Sequence, residues 1–298
     1  MSQGSPAAPS LPPRLQIALA ALLFSTGGAA IKLADFTGWQ VASFREGIAA
    51  LVLLVCLPAA RRGFSWRAAV VGLAYAFTLI SFVLANRLTT SANTIYLQSP
   101  APFFVLLLAP LLLREPVRRR DLPVLLAVLA GLLLVFGGGD VASTTSPDPA
   151  RGNLLALGTG ISFALMMCGL RWLGREGNRT DGALAAVVLG NIIACAVTLP
   201  VALPVTGAGA GDWLLMGYLG AFQIGLAYLL VTSGLRHVPV LAASLLLLIE
   251  TALNPVWTWL LLGEVPSAAA VAGGAIIVGA TALHAAAGAL RPARAEFG

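Results

Sequence analysis

Ten apolar runs, each about 20 residues long, follow one another along this 298-residue chain and constrain its fold more than any other feature. At 1.5 Å rise per residue, a helix needs about 20 mostly apolar residues to cross the hydrocarbon of a bilayer. On that ruler the sequence predicts helices over 15–34, 39–58, 66–86, 91–113 and 121–138, and again over 152–173, 181–203, 212–234, 240–262 and 268–290. Charged residues make up 10% of the chain and hydrophobic ones 58%, with mean hydropathy +0.90. Soluble domains carry about 25% charge, so lipid has to be the solvent here. The expectation is an all-α membrane protein of ten transmembrane helices.

The basic residues then orient the chain. With a cytoplasmic N-terminus, Arg14, Arg61, Arg62, Arg67, Arg114, Arg118, Arg119, Arg120, Arg171, Arg175, Arg179, Arg236, Arg291 and Arg294 fall at cytoplasmic ends, 14 of the 18 Lys and Arg. Lys32, Arg87 and Arg151 fall outside, and Arg45 lies within a span. That asymmetry is the positive-inside pattern, and it puts both termini in the cytoplasm. The net charge of +6 is dispersed in short loops rather than gathered in a stripe, which excludes nucleic acid as the partner. Trp39, Trp66, Trp172 and Trp213 fall at predicted helix ends, where amphipathic rings prefer the interface.

Residues 1–13 read as a disordered tail, 14–138 as a first five-helix unit, 139–151 as a polar linker, 152–290 as a second unit and 291–298 as a tail. The first apolar run lacks a convincing cleavage site and is expected to persist as a helix. Cys56, Cys168 and Cys195 stand alone in apolar runs and read as packing residues; no metal or cofactor is expected.

The two units resemble each other. The fourth run ends Leu111-Leu112-Leu113-Arg114-Glu115-Pro116, and the ninth ends Leu260-Leu261-Leu262-Gly263-Glu264-Val265-Pro266. An odd number of spans per unit inserts the two in opposite orientations, so Glu115 falls inside and Glu264 outside. Inverted repeats recur in secondary transporters, with a site near the midplane between them. Pro100, Pro102 and Pro110 interrupt the fourth run and Pro255 the ninth. Each removes a helical hydrogen bond and frees a carbonyl, which lipid tolerates only beside protein or a water-filled cavity.

These residues resemble a known family. Tyr96-Leu97-Gln98-Ser99-Pro100-Ala101-Pro102 through Glu115, Ile249-Glu250-Thr251-Ala252-Leu253-Asn254-Pro255-Val256-Trp257 through Glu264, and Phe44-Arg45 with Ala49-Ala50-Leu51 are similar to EamA-type members of the drug/metabolite transporter superfamily. The likeness runs from about residue 14 to 290 and departs at Arg114, where the family usually has glycine. It implies a ten-helix exporter or facilitator of amino acids, their derivatives or other small metabolites.

Polar residues within the spans supply the candidate site. Glu250 lies near the middle of the ninth run, the costliest depth for a carboxylate. It reads either as a ligand for a substrate amine or carrier of a coupling proton, or structurally, as a partner of Arg45 or the cap of a helix break. Arg45 and Glu46 lie about 9 Å inside the outer end of the second run and, as sequence neighbours, are expected to point apart. Gln98, Ser99 and Tyr96 accompany the interrupted fourth run, and Asn254 lies one turn beyond Glu250. Tyr75, Tyr96 and Phe163 offer an aromatic wall. Asn191 and Gln223 read as helix-joining amides, and His284 as an interfacial histidine. Small residues four apart, such as Gly72/Ala76, Gly160/Ala164, Gly217/Ala221 and Ala275/Gly279, suit close helix packing within the chain or in a homodimer.

The composite expectation is a secondary transporter that exports or exchanges a small-molecule substrate. No G-x-x-x-x-G-K-[ST] is present to use ATP. A membrane enzyme acting on a lipid or isoprenoid is the alternative, weakened by the absence of D-x-x-x-D, H-E-x-x-H and G-x-S-x-G. A channel is disfavoured because no charge ring or filter-like stretch appears.

Overall fold

The computed structural model describes residues 11–101, 103–104, 108, 122–138, 142–175, 181–238 and 240–289. Among them the architecture is helical, with a lone β-bridge between Ser143 and Ser146. The helices are α1 (Pro13–Ser25), α2 (Gly27–Leu33), α3 (Gly38–Cys56), α4 (Trp66–Leu88), α5 (Ser91–Gln98), α6 (Leu122–Gly137) and α7 (Pro149–Arg175), followed by α8 (Asp181–Ala202), α9 (Ala210–Tyr218), α10 (Ala227–Gly234), α11 (Val240–Leu246), α12 (Leu248–Leu262) and α13 (Ala268–Ala289). A π-helical segment, Leu219–Leu226, joins α9 to α10. Among the described residues six runs are long and apolar enough to cross a bilayer: Pro13–Leu33, Gly38–Cys56, Trp66–Leu88, Pro149–Gly174, Gly182–Ala202 and Ala210–Gly234. Pro102, Pro110 and the Arg114-Glu115 motif lie outside the described residues.

Local chemistry sets several helix starts. Thr37 and Gln40 form a reciprocal capping box at α3, while Ser65 and Thr90 accept backbone N–H groups at the starts of α4 and α5. Leu51, Val55, Leu73 and Leu214 stay exposed; such apolar outer faces suit lipid rather than water. All four tryptophans placed at helix ends are exposed. Of these, Trp172 on α7 lies 5.1 Å beneath the Arg67 guanidinium of α4, a cation–π contact that ties two helix ends.

A polar seam joins α4 to α7. Thr78 Oγ1 donates to Ser162 Oγ (2.9 Å), Thr159 Oγ1 to Ser81 Oγ (2.8 Å) and Thr89 Oγ1 to Asn153 Oδ1 (2.8 Å). Asn191 on α8 donates to the Tyr75 hydroxyl on α4 at 3.2 Å, the helix-joining role expected of it. Hydroxyl and amide bridges between transmembrane helices are worth about 0.6–2 kcal/mol each.

The stripes of small residues behave differently from one another. A Cβ on Gly72 would meet the Gly190 nitrogen and the Ala186 carbonyl at 3.2 Å, whereas one on Gly217 or Gly279 would meet nothing within 4 Å. The tightest crossing joins α6 to α13. There a Cβ on Gly273 would stand 2.5 Å from the Gly131 carbonyl oxygen, and one on Gly131 2.7 Å from that of Gly273. Backbone cannot yield as a flexible side chain can, so Gly273→Ala should cost on the order of 1–3 kcal/mol. We expect a lower thermal unfolding midpoint for purified Gly273→Ala in detergent and no change for Gly279→Ala.

Candidate functional site

Four irregularities of the helical backbone gather around one point. The first span breaks at Thr26, ahead of Gly27-Gly28, where the Thr26 hydroxyl donates to the Leu23 carbonyl (2.8 Å). Helix α5 ends at Gln98, directly before Ser99-Pro100, as the proline predicts. The ninth run breaks at Leu247 rather than at Pro255, and this corrects the sequence expectation. Helix α12 continues through Pro255, which removes one hydrogen bond without ending the helix, and Glu250 sits in its first turn. The π segment, opposite these, carries Gln223; π turns inside α-helices frequently accompany functional sites.

Between these irregularities lies a half-open cavity whose empty space, counted together with the solvent at its mouth, is about 320 Å³. Phe24, Arg45, Thr78, Leu79, Phe82 and Gln98 line it from the chain before the 139–151 segment, and Phe163, Gln223, Ile224, Tyr228 and Glu250 from the chain after it. A second space of about 300 Å³ shares Gln98, Phe163 and Glu250 as walls and adds Ser99 and Thr251. Ser99 and Thr251 hydroxyls join α5 to α12 at 2.7 Å. The shared walls make Glu250 the acid common to both spaces.

Five of the expected site residues therefore converge: Glu250, Arg45, Gln98, Ser99 and Phe163. Tyr75 lies one layer behind, fully buried, with its ring 4.6 Å from that of Tyr228. Tyr96 faces Gly274 of α13, and Asn254 faces Gly28, whose absent Cβ leaves room for the amide. None of these three lines either space. His284 lies on α13, and its side chain is outside the described residues.

Arg45 and Glu46 overturn the expectation that they would point apart. Both are fully buried, and Arg45 Nε donates to Glu46 Oε1 at 2.6 Å. The guanidinium stem is long enough to reach around the helix, and with water excluded the neighbouring carboxylate is the nearest counter-charge. The pair leaves Arg45 Nη1 and Glu46 Oε2 without hydrogen-bond partners among the described residues. It also removes Arg45 as a structural partner for Glu250, whose carboxylate makes no hydrogen bond or ion pair among the described residues.

The amides complete the polar lining. Gln98 Oε1 and Gln223 Oε1 are both buried without a hydrogen-bond partner among the described residues. Unmatched acceptors beside an acid favour a ligand rich in N–H groups. Gln223, expected from sequence as a helix-joining amide, is presented to the cavity by the π turn, and nothing in hydropathy marks such a turn. Tyr228, Phe24 and Phe82 were also missed, since aromatic residues in apolar runs look alike whether they pack or line a space.

A family model described as the EamA-like transporter family matches this chain twice, over residues 13–137 and 150–285. The chain belongs to that family. It is 25% identical over 268 residues to the pseudopaline exporter CntI of Pseudomonas aeruginosa strain UCBPP-PA14, covering 87% of this chain and 91% of that one. A protein of known crystal structure shares the fold at TM-score 0.65 and 20% identity, across 92% of this chain and 96% of the other. This EamA-like chain is thus a multi-pass integral membrane protein of the drug/metabolite transporter superfamily that carries a small molecule. It is a transporter and not an enzyme, so the membrane-enzyme alternative falls.

Removing one member of a buried ion pair strands the other and typically costs about 3–5 kcal/mol. Glu46→Ala should therefore lower the thermal midpoint in detergent sharply. The double variant Arg45→Met/Glu46→Leu should lose much less, because no charge is left stranded.

Proposed function

We propose that this protein is a secondary transporter exporting or exchanging an amino acid or a related small metabolite by alternating access. Residues 14–138 and 152–290 form two inverted five-helix halves, ten spans in all, with both termini in the cytoplasm. The halves rock about the cavity between them and open it to one side at a time. The Glu250 carboxylate, without a hydrogen bond or ion pair among the described residues, carries the reading. A buried acid without a counter-charge is costly, and it is retained where a substrate ammonium or a proton completes it during the cycle. Gln98 and Gln223 add acceptors for the remaining N–H groups of a primary amine. Arg45 Nη1 stands ready for a carboxylate. The relative named for pseudopaline export supports the outward direction.

Counterflow of a labelled panel headed by amino acids, in proteoliposomes, tests this reading. Wild-type protein should show saturable uptake of at least one member. Glu250→Gln, equally folded by size-exclusion profile, should reduce that uptake by about tenfold or more, the equivalent of one lost charge-assisted contact. Uptake unchanged by the substitution would return Glu250 to a structural role.

A further inference from the structure

Lys32 lies in the last turn of α2 and Glu264 follows α12, 232 residues away in sequence, yet their side chains form a salt bridge at 2.6 Å. Both are almost completely buried, at 4% and 3% side-chain exposure. The ammonium also donates to the Thr89 carbonyl (2.9 Å) and the Thr145 carbonyl (2.6 Å). The second carboxylate oxygen, Oε1, accepts the Ser91 backbone N–H at 2.6 Å. All three ammonium donors and both carboxylate oxygens are satisfied, which is the condition under which a buried pair survives desolvation.

A local device aims Glu264. Gly263 adopts φ +65°, a left-handed conformation that glycine takes without steric cost, and its N–H bonds back to Trp259. The helix stops there, and the next residue turns inward instead of continuing towards lipid. The Leu-Gly-Glu ending of the ninth run thus has a structural purpose that hydropathy alone does not supply.

The bridge joins the ends of α2, α4, α5 and α12 and the segment between the halves, all on one face of the bundle. The cavity lies deeper along the same helices, with Gln98 roughly 10 Å below Ser91 and Glu250 roughly 20 Å below Glu264 at the helical rise. Opening the cavity on this face would require α2 to part from α12. We propose that Lys32 and Glu264 are the gate residues of this face, a latch that closes the cavity to the outside and must open for release. This rests on the two-half reading above, and the orientation sets which face is called outer. The pair exists only when the halves close on this side, so it biases the equilibrium between the two access states.

The test is thiol labelling of Gln98→Cys by a membrane-impermeant maleimide, applied separately to each face of oriented vesicles, with Cys56, Cys168 and Cys195 replaced by alanine. Lys32→Met and Glu264→Gln should each raise labelling from one face by about tenfold, and the double variant should add little to either. Glu264→Asp, which keeps the charge on a shorter arm, should give a smaller rise and serves if the bolder variants fold poorly. Arg151→Met, removing the exposed Asp148 pair on the same side, should change nothing. A rise confined to the face predicted as cytoplasmic would support the latch while inverting the orientation, so the two readings fail separately. No rise, or an equal rise from both faces, would overturn the latch.

Discussion

A peptide group stripped of its helical partner has nowhere to turn in hydrocarbon, and this constraint organises the whole molecule. Among the described residues, the breaks at Thr26, Ser99-Pro100 and Leu247 are turned towards other protein or the central cavity, and the π segment buries Gln223 and Ile224 there while Phe222 faces outward. Mostly regular helix is left to face outward, and there the large side chains are apolar, leucine and valine above all. The cavity follows from the breaks as much as the breaks follow from the cavity. A chain that must keep irregular backbone away from lipid gathers it in the middle, and the groups gathered there can bind a solute.

The buried charges divide into three kinds of arrangement. Arg45 and Glu46 neutralise each other within α3, so the side of the cavity that Arg45 lines carries little net charge. Lys32 and Glu264 neutralise each other between distant elements and report how those elements are placed. Glu250 has no such partner among the described residues and is left to define the electrostatic character of the cavity.

The sequence displays some of this plainly and hides the rest for physical reasons. Apolar runs of membrane length are visible because the bilayer imposes one length on all of them, and the end of α5 is visible because proline lacks an N–H. The break at Leu247 sits in an unbroken leucine-rich stretch and leaves no such mark, while Gly27-Gly28 marks the first break only once α1 and α2 are seen to part there. Glu250 could be found because a carboxylate at mid-depth is rare, and Gln98 and Ser99 because they stand directly before Pro100, whereas Phe163 carries only the unspecific signal of an aromatic ring within a span. Tyr75, Tyr96 and Asn254 carry the same signals but face neighbouring helices, a difference of rotation about the helix axis that composition does not encode. The Lys32–Glu264 contact joins two positions that a single sequence gives no reason to associate.

The placing of Arg45 beside Glu46 also bears on how the chain enters a membrane. An arginine or an acid alone at depth costs a helix several kcal/mol during insertion. Because these two meet within one turn of one helix, they can combine before any other helix arrives. The second span can then pass into the bilayer as a nearly neutral segment during synthesis, whereas the bond between Lys32 and Glu264 must wait until the ninth has been made.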